Sequence, residues 1–154
     1  MTKFSVSRRV PYTPDQVFGI ASNVEDYRHF LPLVKASSVR NRVTRDDGVV
    51  EFDSTIQIAY HKLGISESLT SHVTVDPGSR VVRSTSNEGP VTSLTAEWRI
   101  AEAPGGAEIH FTVDYTLRSR SMQFLISGMF DMLVRRILNA FEERARKLYG
   151  AAAV

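Results

Sequence analysis

The spacing of the apolar residues changes once along this chain, and the change leaves very few folds open. From Val34 to Leu117 apolar and polar residues alternate, whereas from Met122 to Leu148 apolar residues recur at intervals of three and four. Alternation places one set of side chains on each face of a strand, and the longer interval places them along one stripe of a helix. Val50, Phe52, Ile56, Ile58 and Tyr60 share one parity, interrupted only by Ser54, opposite Glu51, Asp53, Thr55, Gln57 and His61. Ala107, Ile109, Phe111, Val113, Tyr115 and Leu117 likewise oppose Glu108, His110, Thr112, Asp114, Thr116 and Arg118. Each strand therefore has a dry face and a wet face, as antiparallel sheets do.

Turn signals punctuate this region at Asp46-Asp47-Gly48, Lys62-Leu63-Gly64, Asp76-Pro77-Gly78, Asn87-Glu88-Gly89-Pro90 and Pro104-Gly105-Gly106, so six strands follow one another as a meander. A further strand is expected over Lys3–Val10. Thr13-Pro14-Asp15-Gln16 has capping-box spacing with proline at the first helical position, and predicts a short helix. A second short helix, capped by Asn23 or Ser22, should run from Val24 to about Phe30, where Pro32 stops it. The amphipathic segment after Met122 amounts to a helix of roughly 40 Å. The fold class is thus α+β: a seven-stranded curved antiparallel sheet around a long C-terminal helix, with two short helices after the first strand.

A chain of 154 residues, 42% of them hydrophobic, can bury one sizeable core. Residues 1–149 are expected to form one domain and 150–154 a flexible tail. The absence of cysteine removes disulfides, thiolate metal sites and cysteine nucleophiles. The first residues lack the apolar run of a signal peptide, and the richest apolar segment, Met122 to Leu138, is broken by Gln123, Ser127, Asp131, Arg135 and Arg136. A cytoplasmic protein is expected, peripheral at the inner membrane at most.

Chemistry-bearing patterns are sparse. His29, His61, His72 and His110 stand far apart without metal-ligand spacing, and no nucleophile elbow, phosphate-cradling loop or dinucleotide fingerprint occurs. No metal, no cofactor and no DNA partner are expected. Tyr60, Glu67 and Tyr115 are the side chains available as acid or base if the chain were a small-molecule cyclase. Arg118, Arg120, Arg135, Arg136, Arg144, Arg146 and Lys147 outnumber Asp131, Glu142 and Glu143 over the last segment, making its helix the basic pole of the molecule.

A curved sheet around a helix can close into a filled core or leave a pocket, and alternation does not distinguish them. The inward rows are overwhelmingly apolar: Phe52, Ile56, Ile58, Leu69, Val73, Leu94, Trp98, Ile100, Phe111, Val113 and Tyr115. Ser54, Glu67 and Ser71 share the inward parity. The serines fit either hydrogen-bonding anchors for a ligand or groups bonded to backbone; Glu67 fits a place near a strand end better.

Val10-Pro-Tyr-Thr-Pro-Asp-Gln-Val-Phe18, Val24-Glu-Asp-Tyr27 and Phe30-Leu-Pro32 resemble the opening of the coenzyme Q-binding branch of the START superfamily, the polyketide cyclase/dehydrase and lipid transport group to which the ribosome-association toxin and the birch-pollen-allergen-like proteins also belong. Gly89-Pro90 with Leu94 and Trp98, Ile109-His-Phe111 with Tyr115, and Ala140-Phe141-Glu-Glu-Arg144-Ala145 with Tyr149 extend the resemblance over nearly the whole chain. Val91, Leu33 and Arg28-His29 depart from the pattern. The resemblance implies a helix-grip fold and non-catalytic binding and transport of a hydrophobic ligand, a polyprenyl quinone such as ubiquinone, in support of respiratory electron transport. On that reading Phe30, Leu31 and Pro32 gate the mouth, and Phe52, Ile56, Leu69, Val73, Leu94, Trp98, Phe111 and Val113 hold the guest from the sheet. Phe130, Leu133 and Ile137 face it from the helix, and Ser54, Ser71 or Tyr115 meets a carbonyl. A brief membrane contact through the Phe30-Leu31 lip and the basic helix end would accompany transfer. The same resemblance leaves a ribosome-associating regulator of translation, docked on the large subunit, and a cyclase or aromatase as alternatives.

Overall fold

The structure, a computed structural model, describes residues 2–150. Its strands are β1 (Thr2–Val10), β2 (Val34–Thr44), β3 (Val50–Tyr60), β4 (Ile65–Asp76), β5 (Val81–Ser86), β6 (Val91–Ala103) and β7 (Gly106–Leu117). The helices are α1 (Pro14–Ser22) and α2 (Arg120–Tyr149), with a 3-10 segment at Val24–His29 and a 3-10 turn at His61–Leu63. All strands join one antiparallel sheet in the order β1-β7-β6-β5-β4-β3-β2. Strands β2 to β7 form the expected meander, and β1 pairs with β7 at the far edge, so the chain from β1 to β2 crosses the sheet and carries α1 and the 3-10 segment with it. Most of the expected tail lies outside the described residues.

Local chemistry explains the boundaries. Thr13 and Gln16 complete the reciprocal capping box, with Gln16 N–H donating to Thr13 Oγ1 at 3.1 Å and Thr13 N–H to Gln16 Oε1 at 3.0 Å. Asn23 makes no side-chain cap, and the expected second helix is a single 3-10 segment instead. It is held by Ser37 of β2, whose hydroxyl donates to the Glu25 carbonyl (2.7 Å) and accepts the Arg28 N–H (3.2 Å). Register shifts in β2 and β6 mark bulges, which bend strands and let a sheet curl. At Gly106 a Cβ would run into the Val10 carbonyl, so only glycine lets β7 start against the end of β1.

The curled sheet grips α2, but not evenly along its length. Val134, Leu138, Phe141 and Ala145, from the middle of the helix onward, are its fully buried residues. There Trp98 of β6 lies between Phe111 of β7 and Phe141 of α2, with ring centroids 4.2 and 4.4 Å away. Phe30 and Tyr27 close the cluster edge-on against Phe141, at 5.4 and 6.3 Å. Tyr12 Oη donates to the Gly150 carbonyl at 3.0 Å and ties the helix end to the connection between β1 and α1. Before Val134, α2 has no fully buried residue and rests on the sheet chiefly through Phe130, whose ring meets Tyr115 at 4.9 Å and Phe4 at 5.6 Å.

One end of the grip is therefore solid and the other is not, and mutational costs should divide accordingly. Trp98→Ala should destabilise the protein by about 3–5 kcal/mol, the usual cost of truncating a buried aromatic. Ile126→Ala, in the loosely packed half, should cost less than about 1 kcal/mol. Urea denaturation of both variants checks the contrast.

Candidate functional site

Beneath the first half of α2 lies a cavity of about 540 Å³, open on one side and walled mainly by apolar side chains. Its walls follow from the meander. The β3–β4 turn, the β5–β6 turn and the β7–α2 junction all fall at the same end of the sheet, so the residues flanking them share one rim. From β3 and β4 come Ile58, Tyr60, Ile65, Glu67 and Leu69; from the β5–β6 turn and β6 come Gly89, Pro90, Val91 and Leu94. Val113, Tyr115 and Leu117 of β7 form the back wall, and Met122, Ile126 and Phe130 of α2 form the roof. The volume lies within the roughly 300–1,000 Å³ of ordinary small-molecule sites, and the lining chemistry suits an apolar guest. Two other hollows differ in character. One, of about 530 Å³ on the outer face of the sheet, is walled by Arg40, Asp53, Thr70, His72, Thr85 and Glu88 among others. The other, of about 500 Å³, lies between Phe30 and the end of α2, beside Glu143, Arg144 and Lys147.

Polar groups are few on the cavity wall and placed at its edges. Tyr115 Oη is 3.1 Å from Ser127 Oγ of α2, and Gln123 Oε1 accepts the Leu117 N–H at 2.6 Å, so the roof is pinned to the back wall by hydrogen bonds beside the apolar space. Arg118 latches the rim: Nε donates to the Gly89 carbonyl at 2.8 Å, Nη2 to the Asn87 carbonyl at 2.9 Å, and its own N–H to the Pro90 carbonyl at 3.0 Å. Gly89 has a positive φ of 67°, and a Cβ there would stand 3.0 Å from the Ser68 carbonyl, so glycine permits this turn.

Of the side chains expected to bind, the structure places Leu69, Leu94, Val113, Tyr115 and Phe130 on the cavity wall. Phe52, Val73, Trp98 and Phe111 are instead buried in the core, and Ile56 and Ile137 pack against that core. Leu133 is half-buried on α2, off the cavity wall. Ser54 and Ser71 are buried and face each other across β3 and β4, away from the cavity wall. Phe30, Leu31 and Pro32 do not stand at the mouth. Phe30 packs on Phe141, some nineteen residues along α2 from the Met122 rim, or roughly 30 Å at 1.5 Å per residue. Ile65, Gly89, Pro90, Val91, Leu117, Met122 and Ile126 were outside the expected set. The alternation of turns between the two ends of a meander is the signal that could have found them.

The chain matches the family described as polyketide cyclase / dehydrase and lipid transport over residues 10–142. It is 24% identical over 151 residues to the ribosome association toxin RatA of Rickettsia prowazekii, spanning 96% of this chain and 99% of that one. It is 26% identical over 150 residues to the mitochondrial coenzyme Q-binding protein COQ10 of Drosophila melanogaster, spanning 94% of this chain and 59% of that one. An 18 kDa protein of Caulobacter crescentus, solved in solution, has the same fold, with a TM-score of 0.84, 24% identity and coverage of 98% of this chain and all of that one.

The clearest displaced acidities lie outside the cavity. Burial pushes the Tyr27 phenol, which donates to the Ala21 carbonyl, well above its usual range. On the outer face, Glu51 (2.9 Å) and then Asp53 (3.2 Å) hydrogen-bond His72 and hold its imidazolium above the ordinary value of 6.5. Reciprocally, His72 heads the causes that lower Glu51, while Asn41 and then His72 lower Asp53. Because the folded His72 value is raised, its contribution to stability is complete below the unfolded value and is lost as pH rises through the folded one; the carboxylate contributions are lost as pH falls through theirs. The side chain is half exposed, so the effect is small. A proton NMR titration should place the His72 midpoint above 6.5, and Glu51→Gln should bring it back down.

Proposed function

The chain belongs to the polyketide cyclase / dehydrase and lipid transport family, and on that basis we propose that it binds and carries a hydrophobic small molecule, a polyprenyl quinone such as ubiquinone, without transforming it. The observation that carries the proposal is the apolar cavity of about 540 Å³ left under the first half of α2, within a fold whose second half is packed solid. The similarity to a coenzyme Q-binding protein supports a quinone as the guest. A quinone ring with the first few isoprene units suits this volume. The rest of a long tail would leave through the open side of the cavity. Leu69, Leu94, Val113, Ile126 and Phe130 would hold the guest by contact, and Tyr115, tied to Ser127, would offer its phenol to a carbonyl. Tyr60 and Glu67 also reach the cavity, so a cyclase-type acid or base has somewhere to stand, and turnover of a cyclisable substrate would displace the carrier reading.

A second reading has its own observation. The similarity to ribosome association toxins spans almost the whole of both chains, and Arg135 and Arg136 of α2 are exposed. Contact with the large ribosomal subunit would be dominated by phosphates and sensitive to salt. Arg144 contributes less than its charge suggests, since it lies over the Phe30 ring and pairs with Asp26 at 3.7 Å.

The carrier proposal is tested by filling the cavity. Wild-type protein should take up a short-chain ubiquinone, seen as a bound mass by native mass spectrometry. Ile126→Trp should cut loading at least tenfold while keeping or raising the melting temperature, since an added ring occupies empty space. Equal loading of the two proteins would contradict the assignment. For the second reading, wild-type protein should pellet with large ribosomal subunits at low salt, and Arg135→Gln with Arg136→Gln should abolish this; no pelleting of the wild type removes that reading.

A further inference from the structure

The first half of α2 is apolar on two faces. Met122, Ile126 and Phe130 face the cavity. On the outside, Phe124, Leu125 and Met132 are 85%, 42% and 46% exposed. A phenylalanine left almost wholly in water beside two more large apolar side chains is unusual for a surface with no partner. Cations flank the patch. Arg120 and Arg136 are exposed and, among the described residues, make no ion pair, while the carboxylate of Asp131 is already engaged by Arg135 at 3.2 Å. Across the mouth, Lys62 is exposed in the turn between β3 and β4.

The position of Arg120 runs against the electrostatics of its own helix. It is the first residue of α2, where the helix dipole disfavours cations, and no acidic residue occupies the first turn to offset it. The dipole and the arginine therefore attract anions together. At the other end of the helix the positive charge is partly offset, with Arg144 on Asp26 at 3.7 Å, Arg146 on Glu143 at 3.4 Å, and Lys147 exposed.

We propose that the outer face of the first half of α2 docks on an anionic lipid surface, with Phe124 and Leu125 entering the acyl boundary and Arg120, Arg136 and Lys62 meeting headgroup phosphates, so that the cavity opens towards the membrane. Charge complementarity selects this occupant: an apolar centre with a cationic rim matches an anionic bilayer on both counts. The place of the patch selects it too. Phe124 and Leu125 occupy the same turns of α2 as Met122 and Ile126, which wall the cavity from the opposite face of the helix, so the patch and the cavity lie at one end of the molecule. The docking surface stands on its own geometry, while its use in loading rests on the carrier function proposed above. It replaces the Phe30-Leu31 lip and basic helix end as the expected contact, since Phe30 is packed on Phe141.

Cosedimentation tests the proposal, with ligand-free protein and vesicles of either phosphatidylcholine alone or equimolar phosphatidylcholine and phosphatidylglycerol. The protein should bind the anionic vesicles and leave the neutral ones. Phe124→Ser should weaken binding about tenfold, and Arg120→Gln and Arg136→Gln about fivefold each at low salt. Because the chain has no cysteine, a fluorophore on Phe124→Cys can report insertion by a blue shift that the same label on Val43→Cys, on the distant edge strand, should lack. Absence of binding to anionic vesicles, or equal binding by Phe124→Ser, overturns the proposal. So does a wild-type dimer in sedimentation that Phe124→Ser converts to monomer, because a second copy then covers the patch. Short-chain ubiquinone presented in detergent separates the two proposals: Phe124→Ser should load normally, and vesicle binding by a protein that never loads would leave the docking surface standing and remove the carrier.

Discussion

The sandwich of Trp98 between Phe111 and Phe141 is the contact on which the rest of this structure depends. It joins the last two strands of the meander to the second half of α2 and draws in Phe30 and Tyr27 from the connection that crosses the sheet. A long helix fixed firmly at one end need not settle at the other. With Val134, Leu138, Phe141 and Ala145 seated, the preceding turns are carried out over the sheet, where Phe130 on Tyr115 acts as a spacer. The cavity follows from that asymmetry of grip and is bounded at its inner end by the same two rings.

Two constraints keep the space from collapsing. The bulges in β2 and β6 curve the sheet and set its distance from the helix. The hydrogen bonds of Tyr115 with Ser127, and of Gln123 with the backbone of β7, hold the roof at a defined height, while Arg118 fixes the β5–β6 turn at the rim. These polar contacts have little company inside the cavity, so they define its shape without making it hydrophilic. The roof is thus held by a few hydrogen bonds and one ring contact, where the other end of the helix is held by continuous packing.

Most of the architecture is legible in the sequence because it depends on periodicity and turn chemistry, both of which are local. The parity of Val50 to Tyr60, the capping box at Thr13 and the Gly-containing turns each have one economical outcome, and the family resemblance pointed to the same helix-grip arrangement. The site was legible only in part. Parity says that Phe52, Trp98 and Phe111 point inward but not how far along the sheet the helix begins to lift, and that depends on ring packing between residues distant in sequence. Leu94 and Val113 lie on the wall of the space, whereas Trp98 and Phe111, only a few residues along the same strands, lie in the filled half. Phe30-Leu31-Pro32 reads as a lip because it is an apolar loop; Phe141 instead holds Phe30 at the solid end, while Ser37 fixes the 3-10 segment just before it.

The central claim, that one half of the grip is hollow and takes an apolar guest while the other half is solid, is tested most directly by methyl-resolved NMR during titration with a short-chain quinone. The account predicts saturable shifts at Ile58, Leu69, Leu94, Val113 and Ile126, with Ile20, Ile109 and Leu138 holding their positions. Shifts centred on Ile109 and Leu138, or no saturable change at the cavity methyls, would contradict it.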